Sequence, residues 1–188
     1  MRIIKTEFPD LLIIEPKVFE DQRGYFFESY NSMKYQELGI NLNFVQDNES
    51  KSSYGVIRGL HYQLQPYAQT KLVRVISGII LDVVVDIRQN SPTYGKHFSI
   101  ELSSDNKTQL LVPKGFAHGF SVLSETAIVM YKCDEFYNPE AERGICYNDS
   151  TLGINWKIDS EKAIVSSKDK VHPELANAEI NFIYGNTH

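Results

Sequence analysis

The sequence predicts an all-β fold, a sandwich or barrel of the jelly-roll kind, on three observations. Runs rich in β-branched and aromatic residues recur at roughly ten-residue spacing, separated by Gly, Ser, Asn and Asp clusters. One run, Ile79-Ile80-Leu81-Asp82-Val83-Val84-Val85-Asp86-Ile87, is too apolar for a strand with one wet face. Helical periodicity is scarce.

Taken along the chain, the first helix signal is Ser32 to Leu38, with Asn31 or Ser32 as N-cap and Gly39 as the stop. Lys71 to Ser77 and Ile79 to Ile87 read as strands separated by the turn dipeptide Ser77-Gly78. The second of these is expected to be buried on both faces, so Asp82 and Asp86 within it need polar partners. His97 to Leu102 and Thr108 to Val112 read as a hairpin across Ser103-Ser104-Asp105-Asn106-Lys107. Gly119 to Leu123 and Thr126 to Lys132 repeat that pattern across Ser124-Glu125. A further short helix is expected after Asp159. No repeat, low-complexity stretch or linker divides the chain, so residues 1–188 are expected to form a single domain, large enough to bury roughly 70% of its unfolded surface. The terminal stretch Asn181 to His188 matches no motif.

Composition narrows the function classes. A net charge of −5, from 19 basic and 24 acidic residues, argues against general nucleic-acid binding. It leaves room for a phosphorylated small molecule, which needs only a few local cations. Eleven Tyr and ten Phe suit strand packing first and stacking surfaces second. Cys133 and Cys146 are too few for a disulfide framework and wrongly spaced for a zinc knuckle. The first ten residues carry no apolar signal core, and no apolar run approaches the roughly 20 residues of a membrane span. The expectation is a cytoplasmic protein with free thiols and no membrane contact.

The chemistry concentrates in Arg58-Gly59-Leu60-His61-Tyr62-Gln63, with Lys71 ten residues after His61. A histidine and two fixed cations at the start of a β-rich run can remove a proton beside a carbonyl on an anionic substrate. Strand alternation puts residues 58 and 60 on one face and 59 and 61 on the other. Convergence of Arg58 and His61 therefore requires a local bend near Gly59.

That stretch, with Asp21-Gln22-Arg23-Gly24-Tyr25-Phe26 upstream and Val112-Pro113-Lys114-Gly115-Phe116-Ala117-His118-Gly119-Phe120 downstream, closely resembles the dTDP-4-dehydrorhamnose 3,5-epimerase family. The resemblance runs in order from about Phe19 to Lys170. It implies a cupin-type jelly roll with extra N-terminal strands, acting without a cofactor on a dTDP-sugar in L-rhamnose biosynthesis. It also implies a homodimer whose N-terminal strands cross between subunits, so that Arg23 reaches its neighbour's site. His61 is implied as the base, paired with Asp169, with Lys71 as holder of the oxyanion and Tyr131 as the acid. Arg23, Phe26, Glu28, Gln46, Asn48, Arg58, His118, Glu142 and Lys168 match nucleotide-sugar contacts. Tyr137 is a rival to Tyr131 or a nearby stacking residue.

Read without the resemblance, several of these residues look bland. Asp169 in Ser166-Ser167-Lys168-Asp169-Lys170 reads as a solvated surface charge, Glu28 and Glu142 likewise, and Phe26 could be core. Metal-binding cupins need two histidines one residue apart, then a glutamate and a later histidine. Here Gln63 stands two after His61, and no glutamate occurs from Ser50 to Ile100. His61 and His118 alone fall short of the three protein ligands of a catalytic zinc, so no metal is expected. The competing readings are a mono-epimerase on a related nucleotide-sugar, a non-catalytic sugar-binding cupin and a metal-dependent oxygenase.

Overall fold

Period-two burial along the strands is realised in two six-stranded sheets packed face to face, in a computed structural model that describes residues 1–185. The first sheet runs in the order β1 (Arg2–Lys5), β2 (Leu12–Glu15), β10 (Gln109–Val112), β7 (Lys71–Ser77), β12 (Thr126–Cys133) and β5 (Gln46–Ser53). The second runs β13 (Glu142–Gly144), β6 (Val56–Gln63), β11 (Phe116–Val122), β8 (Ile79–Asp86) and β9 (His97–Ser103). A short β14 (Ile164–Val165) pairs in parallel with the start of β6. A separate hairpin, β3 (Phe19–Asp21) and β4 (Gly24–Phe26), is exposed along its whole length.

The expected strands are present, but the two expected hairpins are not. The strand before Ser103-Ser104 (β9) pairs with β8, whereas the strand after Lys107 (β10) pairs with β2 and β7. In the same way β11 pairs with β6 and β8, while β12 pairs with β5 and β7. Each turn is a corner that hands the chain from one sheet to the other. A turn signal specifies reversal of direction, and long-range burial specifies the partner.

Strand β8 explains the apolar run. Ile80 and Val84 point into the space between the sheets, packing with Val73, Val75, Leu110, Val122 and Val129. Leu81, Val83 and Val85 point the other way, under Ile145, Leu152, Trp156, Val165 and Phe182 of the C-terminal segment. Phe182 lies in the terminal stretch that matched no motif; it is 3% exposed and meets Tyr62 edge-on, ring centroids 6.3 Å apart. The remaining residues 186–188 of that stretch lie outside the described residues. Asp86 finds its partners in Arg88, Ser91 and Thr93, and Asp82 in His118.

Helix α1 (Ser32–Glu37) is capped by Asn31, whose side chain accepts from the Lys34 amide. Its Tyr35 covers Leu72 and Leu111 on the outer face of the first sheet. The short helix expected after Asp159 appears as three single 3-10 turns, Ser160–Lys162, Asp169–Val171 and Leu175–Asn177. Among the described residues no helix is long and apolar enough to cross a membrane.

Candidate active site

The inner faces of the two sheets are apolar over most of their area and polar at one end. There a cavity of about 500 Å³ opens, lined from β6 by Arg58 and His61, from β7 by Lys71, from β11 by His118 and from β12 by Tyr131. Lys168 and Asp169 close it from the segment after β14. The bend required near Gly59 is present as a register shift. His118 faces His61 and Phe120 faces Arg58, so β6 takes three steps where β11 takes two. Gly59 has φ +125°, and a Cβ there would stand 2.5 Å from the Gly119 Cα. Only glycine tolerates both that dihedral and that approach. The extra residue turns Arg58 and His61 into the same cavity.

Asp169 is no surface charge. It is 3% exposed, and its Oδ1 accepts from His61 Nε2 at 2.8 Å while Oδ2 accepts from the Gly59 amide at 3.3 Å. Burial pushes the carboxyl up, but the His61 hydrogen bond and charge, with the Gly59 and Ser166 bonds, outweigh it and hold Asp169 below the usual carboxylate range. With Nε2 engaged, Nδ1 is the ring nitrogen of His61 left for a substrate proton. The isolated Lys-Asp-Lys sequence conceals this because a 3-10 turn buries the middle residue and exposes its neighbours.

Lys71 and Tyr131 face each other from adjacent strands, the ammonium 5.7 Å from the ring centroid. Burial pushes the Lys71 ammonium below its ordinary range, partly opposed by Cys133, Asp82 and Glu142. Burial likewise raises the Tyr131 phenol, with Cys133 and Glu142 adding to it and Arg58 opposing, so Tyr131 stays protonated at neutral pH. His118, opposite His61, donates Nε2 to Asp82 Oδ1 at 2.7 Å.

A hydrogen-bonded rim continues from the cavity. Gln46 Nε2 donates to Asn48 at 3.0 Å, and Gln46 Oε1 accepts from the Tyr137 amide at 2.9 Å. The Tyr137 hydroxyl donates to Glu142 at 2.6 Å, and Glu142 also pairs with Lys168. Glu142 is therefore part of the rim rather than a free surface charge. Arg23, Phe26 and Glu28 are not brought to this cavity. Arg23 bonds to Asp21 at the exposed hairpin, Phe26 is 67% exposed rather than core, and Glu28 pairs with Lys34. Phe26 and Glu28 instead flank a separate hollow of about 310 Å³.

Sequence reasoning missed Asp82 as the partner of His118, and Ser52, whose hydroxyl accepts from Arg58 Nε at 3.0 Å. It also missed His172, whose ring stands edge-on to His61 with centroids 5.7 Å apart. His61, Asp169 and His172 each bring one potential ligand atom within 4.8 Å of the others. The short separation, 2.8 Å between His61 and Asp169, is that of a hydrogen bond, and burial and His61 push the His172 imidazole toward its neutral form. Asp82 lay within a strand expected to be buried on both faces, so its need of a partner was readable though the partner was not. Ser52 and His172 gave no comparable signal.

A family model for dTDP-4-dehydrorhamnose 3,5-epimerase matches residues 5–177. The chain belongs to that family. A Shigella flexneri relative named dTDP-4-dehydrorhamnose 3,5-epimerase is 54% identical over 170 residues, covering 90% of this chain and 93% of its own. The crystal structure of the Elizabethkingia anophelis dTDP-4-dehydrorhamnose 3,5-epimerase superposes with a TM-score of 0.90 at 56% identity, covering 94% of this chain and 97% of that one. A Legionella pneumophila dTDP-6-deoxy-D-glucose-3,5-epimerase, solved in complex with dTDP-4-keto-L-rhamnose, matches with a TM-score of 0.90 at 48% identity, over 94% of this chain and 93% of its own. The cupin-type architecture expected of an isomerase in this family is thus the architecture found.

Proposed function

We propose that this epimerase-family chain inverts C3 and C5 of dTDP-4-dehydro-6-deoxy-D-glucose, giving dTDP-4-dehydro-L-rhamnose for L-rhamnose synthesis. The observation that carries the reading is the opposition, within one cavity, of the His61–Asp169 pair to Lys71 and Tyr131. The Legionella pneumophila relative's complex with dTDP-4-keto-L-rhamnose supports the substrate class.

Both inverted carbons flank the C4 ketone, so one enolate-stabilising site can serve each in turn. His61 takes the proton, and Asp169 holds its tautomer and stabilises the imidazolium. A positioned base supplies roughly 10²–10⁴-fold, short of the 10⁶-fold or more typical of enzymes. A preorganised cation at the enolate oxygen adds about 3–4 kcal/mol, the role assigned to Lys71. Inversion requires reprotonation from the opposite side of the ring. A base returning its own proton would regenerate the starting centre. Tyr131, protonated and across the cavity, donates there. Arg58, fixed by Ser52, engages the diphosphate with its remaining guanidinium nitrogens. His118, Lys168 and the rim of Gln46, Asn48, Tyr137 and Glu142 hold the nucleotide-sugar.

Arg23 and Phe26 on the exposed hairpin, with Glu28 just after it, act from a second subunit across a homodimer. The two cysteines are unpaired, in keeping with a cytoplasmic setting. The roles assigned use side chains alone.

The test is incubation in D₂O with dTDP-4-dehydro-6-deoxy-D-glucose, followed by proton NMR. Deuterium at both C3 and C5 with conversion to the L-sugar is expected. Exchange at one carbon would make this a mono-epimerase, and exchange at neither would return it to a binding role.

A further inference from the structure

Strand β5 is the edge of the first sheet, and its side chains alternate between solvent and the sandwich interior. Asp47, Glu49, Lys51 and Ser53 are exposed, whereas Gln46, Asn48, Ser50 and Ser52 form the inward face. Three of those four have partners. Gln46 and Asn48 bond to each other, and Ser52 holds Arg58. Ser50 differs. It lines the cavity with Lys71, Tyr131 and Arg58, yet its Oγ is buried and has no hydrogen-bond partner among the described residues.

A buried hydroxyl without a partner is unfavourable to the fold, and natural proteins keep few of them. The rest of Ser50 is partly exposed and lines the cavity, so rotation about χ1 turns the hydroxyl out toward a ligand held there. Asn48 stands opposite Tyr131 in the β5–β12 register, and Ser50 stands opposite Val129, the next inward position. Two residues beyond Ser50, Ser52 fixes Arg58. Inward residues on one strand stand ~7 Å apart. Ser50 therefore sits midway between the proposed proton donor and the proposed diphosphate anchor, where the hexose ring of a nucleotide-sugar would lie.

We propose that Ser50 is a sugar-positioning residue whose Oγ hydrogen-bonds an oxygen of the hexose ring substituents. This rests on the epimerase reading of the cavity. Because the hydroxyl holds nothing in the protein, its role differs from that of Ser52. Removing it takes a contact from the ligand and none from the fold.

The experiment compares wild type with Ser50→Ala and Ser50→Thr, measuring melting temperature, calorimetric affinity for dTDP and for dTDP-D-glucose, and turnover of dTDP-4-dehydro-6-deoxy-D-glucose. Ser50→Ala is expected to melt at the wild-type temperature or roughly 1–3 °C higher, since a buried orphan group is gone. Affinity for dTDP-D-glucose and kcat/KM should each fall about tenfold, the scale of one lost hydrogen bond. Affinity for dTDP should be unchanged, and Ser50→Thr should recover most of the sugar-dependent loss. Equal losses for dTDP and dTDP-D-glucose would overturn the assignment to the sugar in favour of the phosphates. Unchanged binding of both, or a fall in melting temperature accounting for the loss, would make Ser50 a structural residue. The two calorimetric arms read the contact even if no epimerisation is found, so failure of the catalytic reading and failure of this one give different results.

Discussion

At the scale of the residue, the site depends on environments rather than on residue types. The roles proposed for His61 and Asp169, base and orienter, rest on a 3-10 turn that buries Asp169 against His61. Replacing His61 by Asn should abolish turnover while largely sparing affinity for dTDP, because the base acts on the sugar and not on the nucleotide. Near-normal turnover would remove His61 from that role. Lys71 makes a pH prediction. Its ammonium is pushed down by burial, so it loses its proton at lower pH than the ordinary lysine value of about 10.4. Burial raises the Tyr131 phenol, so deprotonation of Tyr131 lies above its ordinary value. The alkaline limb of kcat should therefore fall below the ordinary lysine range and follow Lys71. A pH–rate profile flat through pH 10 would contradict the cationic role.

At the scale of the element, the buried strand β8 needs cover on both faces. Part of that cover comes from the last described turn of chain. Phe182 packs beneath Tyr62 in the outer cluster, and Gln89 and Ile183 form a bridge beside it. Replacing Phe182 by Ala should cost about 3–5 kcal/mol, the usual range for a buried phenylalanine. Urea unfolding would read this directly, and a loss below about 1 kcal/mol would mean that the neighbouring chain collapses into the space. Nothing in the local stretch Asn181 to Gly185 announces such a role. Its three apolar residues, Phe182, Ile183 and Tyr184, are too few to show a period, and the Tyr62 ring that Phe182 meets lies far earlier in the chain. The missing hairpins have the same origin. Ser103–Lys107 and Ser124-Glu125 are turns as expected, but antiparallel neighbours in sequence can be separated by a sheet-to-sheet corner that local alternation does not encode.

At the scale of the whole molecule, the exposed hairpin is the open question that dimerisation would answer. Arg23, Tyr25 and Phe26 are displayed on it, outside the cavity of their own chain. If the hairpin completes a second subunit's site, Arg23→Ala should raise KM several-fold while leaving the melting temperature within about 1 °C, a surface substitution being worth little to the fold. Light scattering should then report a dimer for both proteins. A monomeric wild type with unchanged KM in Arg23→Ala would sink the crossing arrangement.

The amino-acid sequence alone determined the strand-rich character, the doubly buried β8, the capped helix at Ser32 and the concentration of Arg58, His61 and Lys71 in one short stretch of chain. These are local properties, carried by periodicity and by residues within about ten positions of one another. The resemblance added the candidates at a distance, and the family to which the chain belongs gave those candidates their chemistry. Only the tertiary structure decided that Asp169 leaves solvent to meet His61, 108 positions earlier, and that Asp82 meets His118. It alone showed that the Ser50 hydroxyl is buried with no partner among the described residues, and that Arg23, Phe26 and Glu28 stay outside the cavity. The reason is physical. Burial and pairing between distant segments are set by how two sheets close on each other, and that closure is a property of the whole chain.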